Sequence, residues 1–203
     1  ENLLNRLTEE EGQRSREIRE RGRVFLNALK QRCERAGTAD VDIRQRYGQL
    51  LDTLDEQQRD VALYVLGRRG RSAAHTQRDL GRHVERISRK IQRPILTVAS
   101  EFSEPKSLLV AYDGKRMTRG CITLIAGNAA LADLPVHVVM SGKQTNESEK
   151  QLQWATETLE GGGFSVETAY LPGDPEQQIM RALTDREIDV LVMGAYSRSP
   201  LRS

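Results

Sequence analysis

Long apolar runs, cysteines and histidines are scarce in this chain, and each shortage excludes a class of protein. No stretch approaches the roughly 18 apolar residues of a membrane-spanning helix, and no membrane partner is expected. The N-terminal residues include Glu1, Glu9 and Glu10, where a secretory signal would be basic and then apolar. Cys33 and Cys121 are isolated, without a CxxC or a nearby histidine pair, which argues against a disulfide framework and against zinc. A reducing cytoplasm fits this usage. His75, His83 and His137 share no ligand spacing, so no metal site is expected. Ser72, Ser197 and Ser199 lack a nucleophile-elbow context, and the acidic groups Glu9 to Glu11 and Asp55-Glu56 lie on polar helical faces. No catalytic constellation emerges.

What remains is a chain of 203 residues, 37% hydrophobic and 30% charged, long enough to bury a core and too aliphatic to be disordered. Its net charge of +2 conceals a split, with 21 basic and 15 acidic side chains in residues 1–100 against 10 and 14 in residues 101–203. The stretch from Arg68 to Arg93 carries nine Lys or Arg, but no aromatic interleaves with them and no recognition motif is present. A solvated face is the expectation there, and no nucleic-acid partner. The chain starts without Met and stops at Ser203 just after a strand-like run, so it reads as a fragment.

Strands and helices alternate along the sequence. Ile18, Phe25, Leu29 and Cys33 mark an amphipathic helix over 12–36, ended by Gly37. Val41 and Ile43 suggest a short strand toward Tyr47, and Leu50, Leu51 and Leu54 one face of a helix. The continuous run Val61 to Leu66 reads as a strand buried on both faces of a parallel sheet. Leu80, Val84, Ile87 and Ile91 form a helical stripe that Pro94 ends, and Ile95 to Val98 is a strand. The polar residues 99–107 look like a linker.

Beyond the linker the pattern restarts. Strands are expected at Leu108 to Tyr112, Val136 to Met140, Ser165 to Leu171 and Val190 to Met193, with helices at Met117 to Leu131, Glu149 to Leu159 and Glu176 to Glu187. This alternation defines an α/β fold with a parallel sheet. The run Val61 to Gly67 resembles Val190 to Gly194, the two glycines standing 127 positions apart. The sequence is thus expected to hold two copies, each clipped, over residues 1–100 and 101–203.

The repeat, the strand order and the glycine turns together resemble a tandem universal stress protein. The quoted matches are Val110 to Asp113 before Gly114, Gly67 to Gly70 in the first copy, and Gly194 to Ser197 in the second. Arg82 after Gly81, and Ser197 in place of a second glycine, depart from the family pattern. The resemblance implies two Rossmann-like domains of the adenine nucleotide alpha hydrolase type, each with a five-stranded parallel sheet and helices on both faces. It implies an adenine nucleotide ligand, ATP or AMP, with Mg accompanying ATP. Glycines after a parallel strand let the backbone approach phosphates near helix N-termini. The matching positions are Asp113, Val138, Met193, Gly194, Tyr196 and Ser197. It further implies a stress-linked binding or signalling role with hydrolysis slow or absent. Association would run through residues 94–98, as a homodimer or as an intramolecular pair of the two copies. The alternatives are a nucleotide-independent protein acting through dimerisation and a slow ATP hydrolase.

Overall fold

A computed structural model describes residues 2–67, 82–99 and 101–195 of the chain, which divides into compact units over 1–56 and 57–203. In the first unit, helix α1 (Asn2–Arg35) is followed by α2 (Leu50–Gln57), whose last residue reaches into the second. Ion pairs one turn apart run along α1, among them Arg23 with Glu20 at 2.8 Å and Lys30 with Glu34 at 3.7 Å. Gly37, at φ +87°, ends the helix in a Schellman turn, with the Thr38 amide donating to the Cys33 carbonyl at 3.0 Å. The strand expected at Val41 and Ile43 does not form. Its alternation is short, no described strand lies alongside to complete a ladder, and Asp40 at φ +54° departs from extended geometry.

The second unit contains two parallel sheets. The smaller pairs β1 (Tyr64–Gly67) with β2 (Ile95–Val98), in register from Tyr64 opposite Ile95 to Gly67 opposite Val98. Between them lies α3 (Arg82–Lys90), and Val84, Ile87 and Ile91 are buried as their spacing requires. Leu80 and the arginines from Arg68 to Arg78 lie outside the described residues. Burial in β1 is one-sided: Tyr64 is buried while Val65 is 59% exposed, which corrects the expectation of a strand covered on both faces.

The larger sheet is built from β3 (Leu108–Ala111), β4 (Val136–Ser141), β5 (Val166–Leu171) and β6 (Val190–Met193), all parallel, in the spatial order β5-β4-β3-β6. Its connections are α4 (Arg116–Ala126), α5 (Asn146–Gly161) and α6 (Pro175–Asp185). Side-chain alternation along β3 sends Leu108, Val110 and Tyr112 toward Ile122 of α4 and Leu152 and Leu159 of α5, and Leu109 toward Ala182 of α6. Helices therefore cover both faces, and for that reason β3 reads as an unbroken apolar run.

The α/β class with parallel sheets is as expected, but the described sheets have four strands and two, not five. The expected boundary at 100/101 falls between the two sheets. Local chemistry sets the helix starts. Thr145 and Ser148 form a reciprocal capping box on α5, and Asp174 before Pro175 caps α6. These caps place both starts a residue or more before the periodicity does.

Candidate functional site

The strand order reverses at β3. From β3 the chain winds outward through β4 to β5, then returns through α6 to place β6 on the other side of β3. In open parallel sheets such a reversal leaves a crevice at the carboxyl ends of the two strands, where ligands bind.

Asp113 stands at the end of β3, and Gly114 after it takes φ +72°, a left-handed turn that leads the chain into α4. The Asp113 carboxylate organises this turn. Its Oδ1 accepts the Lys115 amide at 3.1 Å and the Thr118 hydroxyl at 2.6 Å, and Lys115 Nζ lies 3.5 Å from Oδ2. Asp113 thereby fixes the turn into α4 by holding the amide of Lys115, the N-cap residue, whose own side chain makes no cap bond. Burial pushes the Asp113 carboxyl up, but the Thr118 hydroxyl and the Lys115 amide and ammonium outweigh it and hold the group below its ordinary value.

Thr118 is buried and also touches the neighbouring strand end. A Cβ added to Gly194 would stand 3.2 Å from Thr118 Cγ2, so the bare glycine lets the end of β6 close on the first turn of α4. Met193, opposite Ala111 in register, is 55% exposed beside it. Asp113, Met193 and Gly194 therefore lie together at the crevice. Val138 does not: it is opposite Val110, three residues short of Asp113, and fully buried under α4 and α5. Continuing the register sets Ser141, followed by Gly142 at φ +117°, beside Asp113. Tyr196 and Ser197 lie outside the described residues.

Sequence reasoning missed Thr118, Lys115 and Ser141. An Asp–Gly pair followed by a hydroxyl residue in the first helical turn was the available signal for Thr118.

One flank of the crevice is aromatic and basic. Arg119 donates from Nε to the Gly114 carbonyl at 3.2 Å, and its guanidinium carbon lies 4.8 Å from the centre of the Trp154 ring. Trp154 stacks on Tyr112 with ring centres 6.4 Å apart. The Tyr112 hydroxyl is buried without a hydrogen-bond partner, and burial pushes its pKa up. Gln151 of α5 closes on Gly114, leaving no space for a Cβ there.

A separate cluster joins His137, Glu167 and Arg186. Arg186 Nη1 lies 2.6 Å from Glu167 Oε2 and 2.8 Å from His137 Nδ1, tying β4 and β5 to the end of α6. It sits toward the amino ends of its strands, away from the crevice. Among the described residues no group of His, Cys, Asp or Glu could hold a metal ion, and no helix is long and apolar enough to cross a membrane.

A parallel sheet with helices on both faces, its order reversing at an Asp–Gly turn, defines a Rossmann-like α/β protein. Universal stress protein Slr1230 of Synechocystis is 34% identical over 204 aligned positions, covering 100% of this chain and 71% of that protein. The chain belongs to the universal stress protein family. Universal stress protein MJ0577 of Methanocaldococcus jannaschii is 25% identical over 63 residues, covering 31% of this chain and 39% of that protein. Among solved structures, a universal stress protein from Archaeoglobus fulgidus matches 92% of this chain and 73% of its own, with TM-score 0.71 and 18% identity. A putative universal stress protein from Pseudomonas aeruginosa matches 89% of this chain and 69% of its own, with TM-score 0.61 and 20% identity. No protein-family model matches the sequence.

Proposed function

We propose that this chain is a cytoplasmic, stress-linked module that binds an adenine nucleotide, ATP or AMP, at the crevice between β3 and β6. One observation carries the reading: Asp113, Thr118 and Gly194 meet where the strand order reverses, and a Cβ at Gly194 would crowd Thr118. Asp113 Oδ2 accepts from the ribose or adenine end of the ligand. The Gly194 turn, with Tyr196 and Ser197 after it, receives the ribose and phosphates. Mg would accompany ATP. The role is read as binding or signalling, with hydrolysis slow or absent. The chain is read as a tandem pair, residues 1–100 and 101–203, with the nucleotide in the second copy.

A second reading, association without nucleotide, draws support from the same carboxylate. Asp113 is already engaged by the Lys115 amide and the Thr118 hydroxyl, and the exposed Leu96 and Val98 of β2 offer an apolar strand edge. Mass spectrometry of the small molecules released on denaturing the purified protein separates the readings. Adenine nucleotide at near-stoichiometric yield supports the first. An empty protein that also gives no calorimetric signal with ATP or AMP supports the second. Asp113→Ala is expected to weaken nucleotide binding about tenfold, the loss of one charge-assisted hydrogen bond.

A further inference from the structure

Both chain neighbours of Asp113 are held by one residue of α5. Tyr112, on its amino side, is buried and stacks on Trp154 with ring centres 6.4 Å apart and planes 25° from parallel. Gly114, on its carboxyl side, accepts a bond from Arg119 Nε at 3.2 Å, and the Arg119 guanidinium lies over the same Trp154 ring at 4.8 Å. Gln151, one helical turn before Trp154 on the same side of α5, fills the space that a Cβ on Gly114 would need.

These contacts supply what the turn itself lacks. Gly114 takes φ +72°, a conformation that glycine enters and leaves freely, so the backbone alone does not fix the carboxylate beside it. The bonds from Asp113 to Lys115 and Thr118 run within the start of α4. Trp154 instead ties the turn to a second helix, whose Leu152, Ala155 and Leu159 are buried in the core with Val110 and Val138 of the sheet. A turn held in its binding geometry before the ligand arrives leaves less ordering to be done on binding, which raises affinity without adding a contact.

We infer that Arg119 and Trp154 are positioning residues for Asp113, holding the Asp113–Gly114 turn in the geometry that receives the nucleotide. This rests on the nucleotide-binding reading above and adds to it residues that set affinity without touching the ligand. Arg119 acts through Trp154: an exposed arginine on a flexible stem holds a carbonyl weakly unless its guanidinium is itself held. Losing either partner therefore releases the same brace, and losing both costs little more than losing Trp154 alone.

Isothermal titration of the whole chain with ATP and AMP tests this on the wild type, Arg119→Met, Trp154→Leu, Trp154→Phe and the double variant Arg119→Met/Trp154→Leu. Arg119→Met and Trp154→Leu are each expected to weaken binding about three- to tenfold, the worth of a hydrogen bond or a cation–π contact. Trp154→Phe keeps an aromatic face and should retain affinity within about twofold, and the double variant should lie within about twofold of Trp154→Leu, as for residues acting in series. Without ligand, hydrogen exchange at the Lys115 amide, which donates to Asp113, should quicken in Arg119→Met. Circular dichroism confirms folding, and the exposed position of Arg119 keeps the test decisive if Trp154→Leu does not fold. Wild-type affinity or unchanged Lys115 exchange in Arg119→Met, or full additivity in the double variant, overturns the inference while nucleotide binding stands. A folded wild type that binds neither nucleotide overturns the nucleotide reading, and this inference with it.

Discussion

Gly37 and Gly163 end α1 and α5 in the same left-handed turn, at φ +87° and +88°. In each case the next amide reaches back five residues, Thr38 to Cys33 at 3.0 Å and Phe164 to Leu159 at 3.1 Å. The glycines lie 126 positions apart, close to the spacing of Gly67 and Gly194, in line with the proposal that the two halves repeat one design. A Cβ would meet nothing within 4 Å at either position, so the only penalty for a side chain is conformational. Gly37→Ala and Gly163→Ala should each cost about 1 kcal/mol by urea unfolding. A near-zero cost at both would show that the turn relaxes.

The same turn ends α6 without a glycine. Glu187 takes φ +49°, and the Ile188 amide donates to the Leu183 carbonyl at 3.0 Å. A side chain in the left-handed region costs roughly 1–2 kcal/mol and the freer unfolded chain of a glycine offsets roughly 0.5–1 of it, so Glu187→Gly should stabilise the protein by about 0.5–1 kcal/mol. Thermal unfolding should show a midpoint raised by a few degrees; an unchanged or lowered midpoint refutes the assignment of strain.

The depressed Asp113 carboxyl predicts a pH dependence of known sign. Because the folded value lies below the unfolded one, near 4 for aspartate, the ionised group adds stability that is fully present above the unfolded value. That contribution is lost as pH falls through the folded value. Urea unfolding of wild type and Asp113→Asn from pH 7 to pH 3 should show the wild-type advantage at neutral pH shrinking toward zero on the acid side. A constant difference across the range would remove the electrostatic role. One third of the side chain is exposed, so solvent screening keeps the effect small.

Association is proposed to run through β2, where Leu96 and Val98 are exposed on a strand paired with β1. An apolar edge strand presents unpaired amides and carbonyls and invites another strand. Leu96→Lys should therefore shift the protein toward monomer in light scattering. A wild type already monomeric at high concentration, with amides 95–98 exchanging rapidly, would exclude the interface.

Much of this fold was legible without coordinates because its signals are local. The 3, 4, 7 spacing that buries Val84, Ile87 and Ile91, the continuous apolar run of β3, and Gly37 as a helix stop all depend on periodicity and backbone preference within a few residues. Asp113 and Gly194 were legible too, as strand-end residues. The failures lie where a neighbour decides. Val41 and Ile43 alternate like a strand, yet a strand exists only with a partner ladder. The run from Val61 suggests burial on both faces, yet whether a second face is covered depends on what packs there, and Val65 is left open.

The amino-acid sequence by itself determined the α/β alternation, the turns at Gly114 and Gly163, and the acid at the end of β3, because each follows from chemistry within one helical turn. Only the tertiary structure decided that Val138 is sealed in the core, opposite Val110 and short of the strand end, since parallel register is set by the packing of α4 and α5 against both strands. Only it brought Thr118 between Asp113 and Gly194, residues 81 positions apart in the chain, because the order β4-β3-β6 returns the last strand to the side of β3 opposite β4.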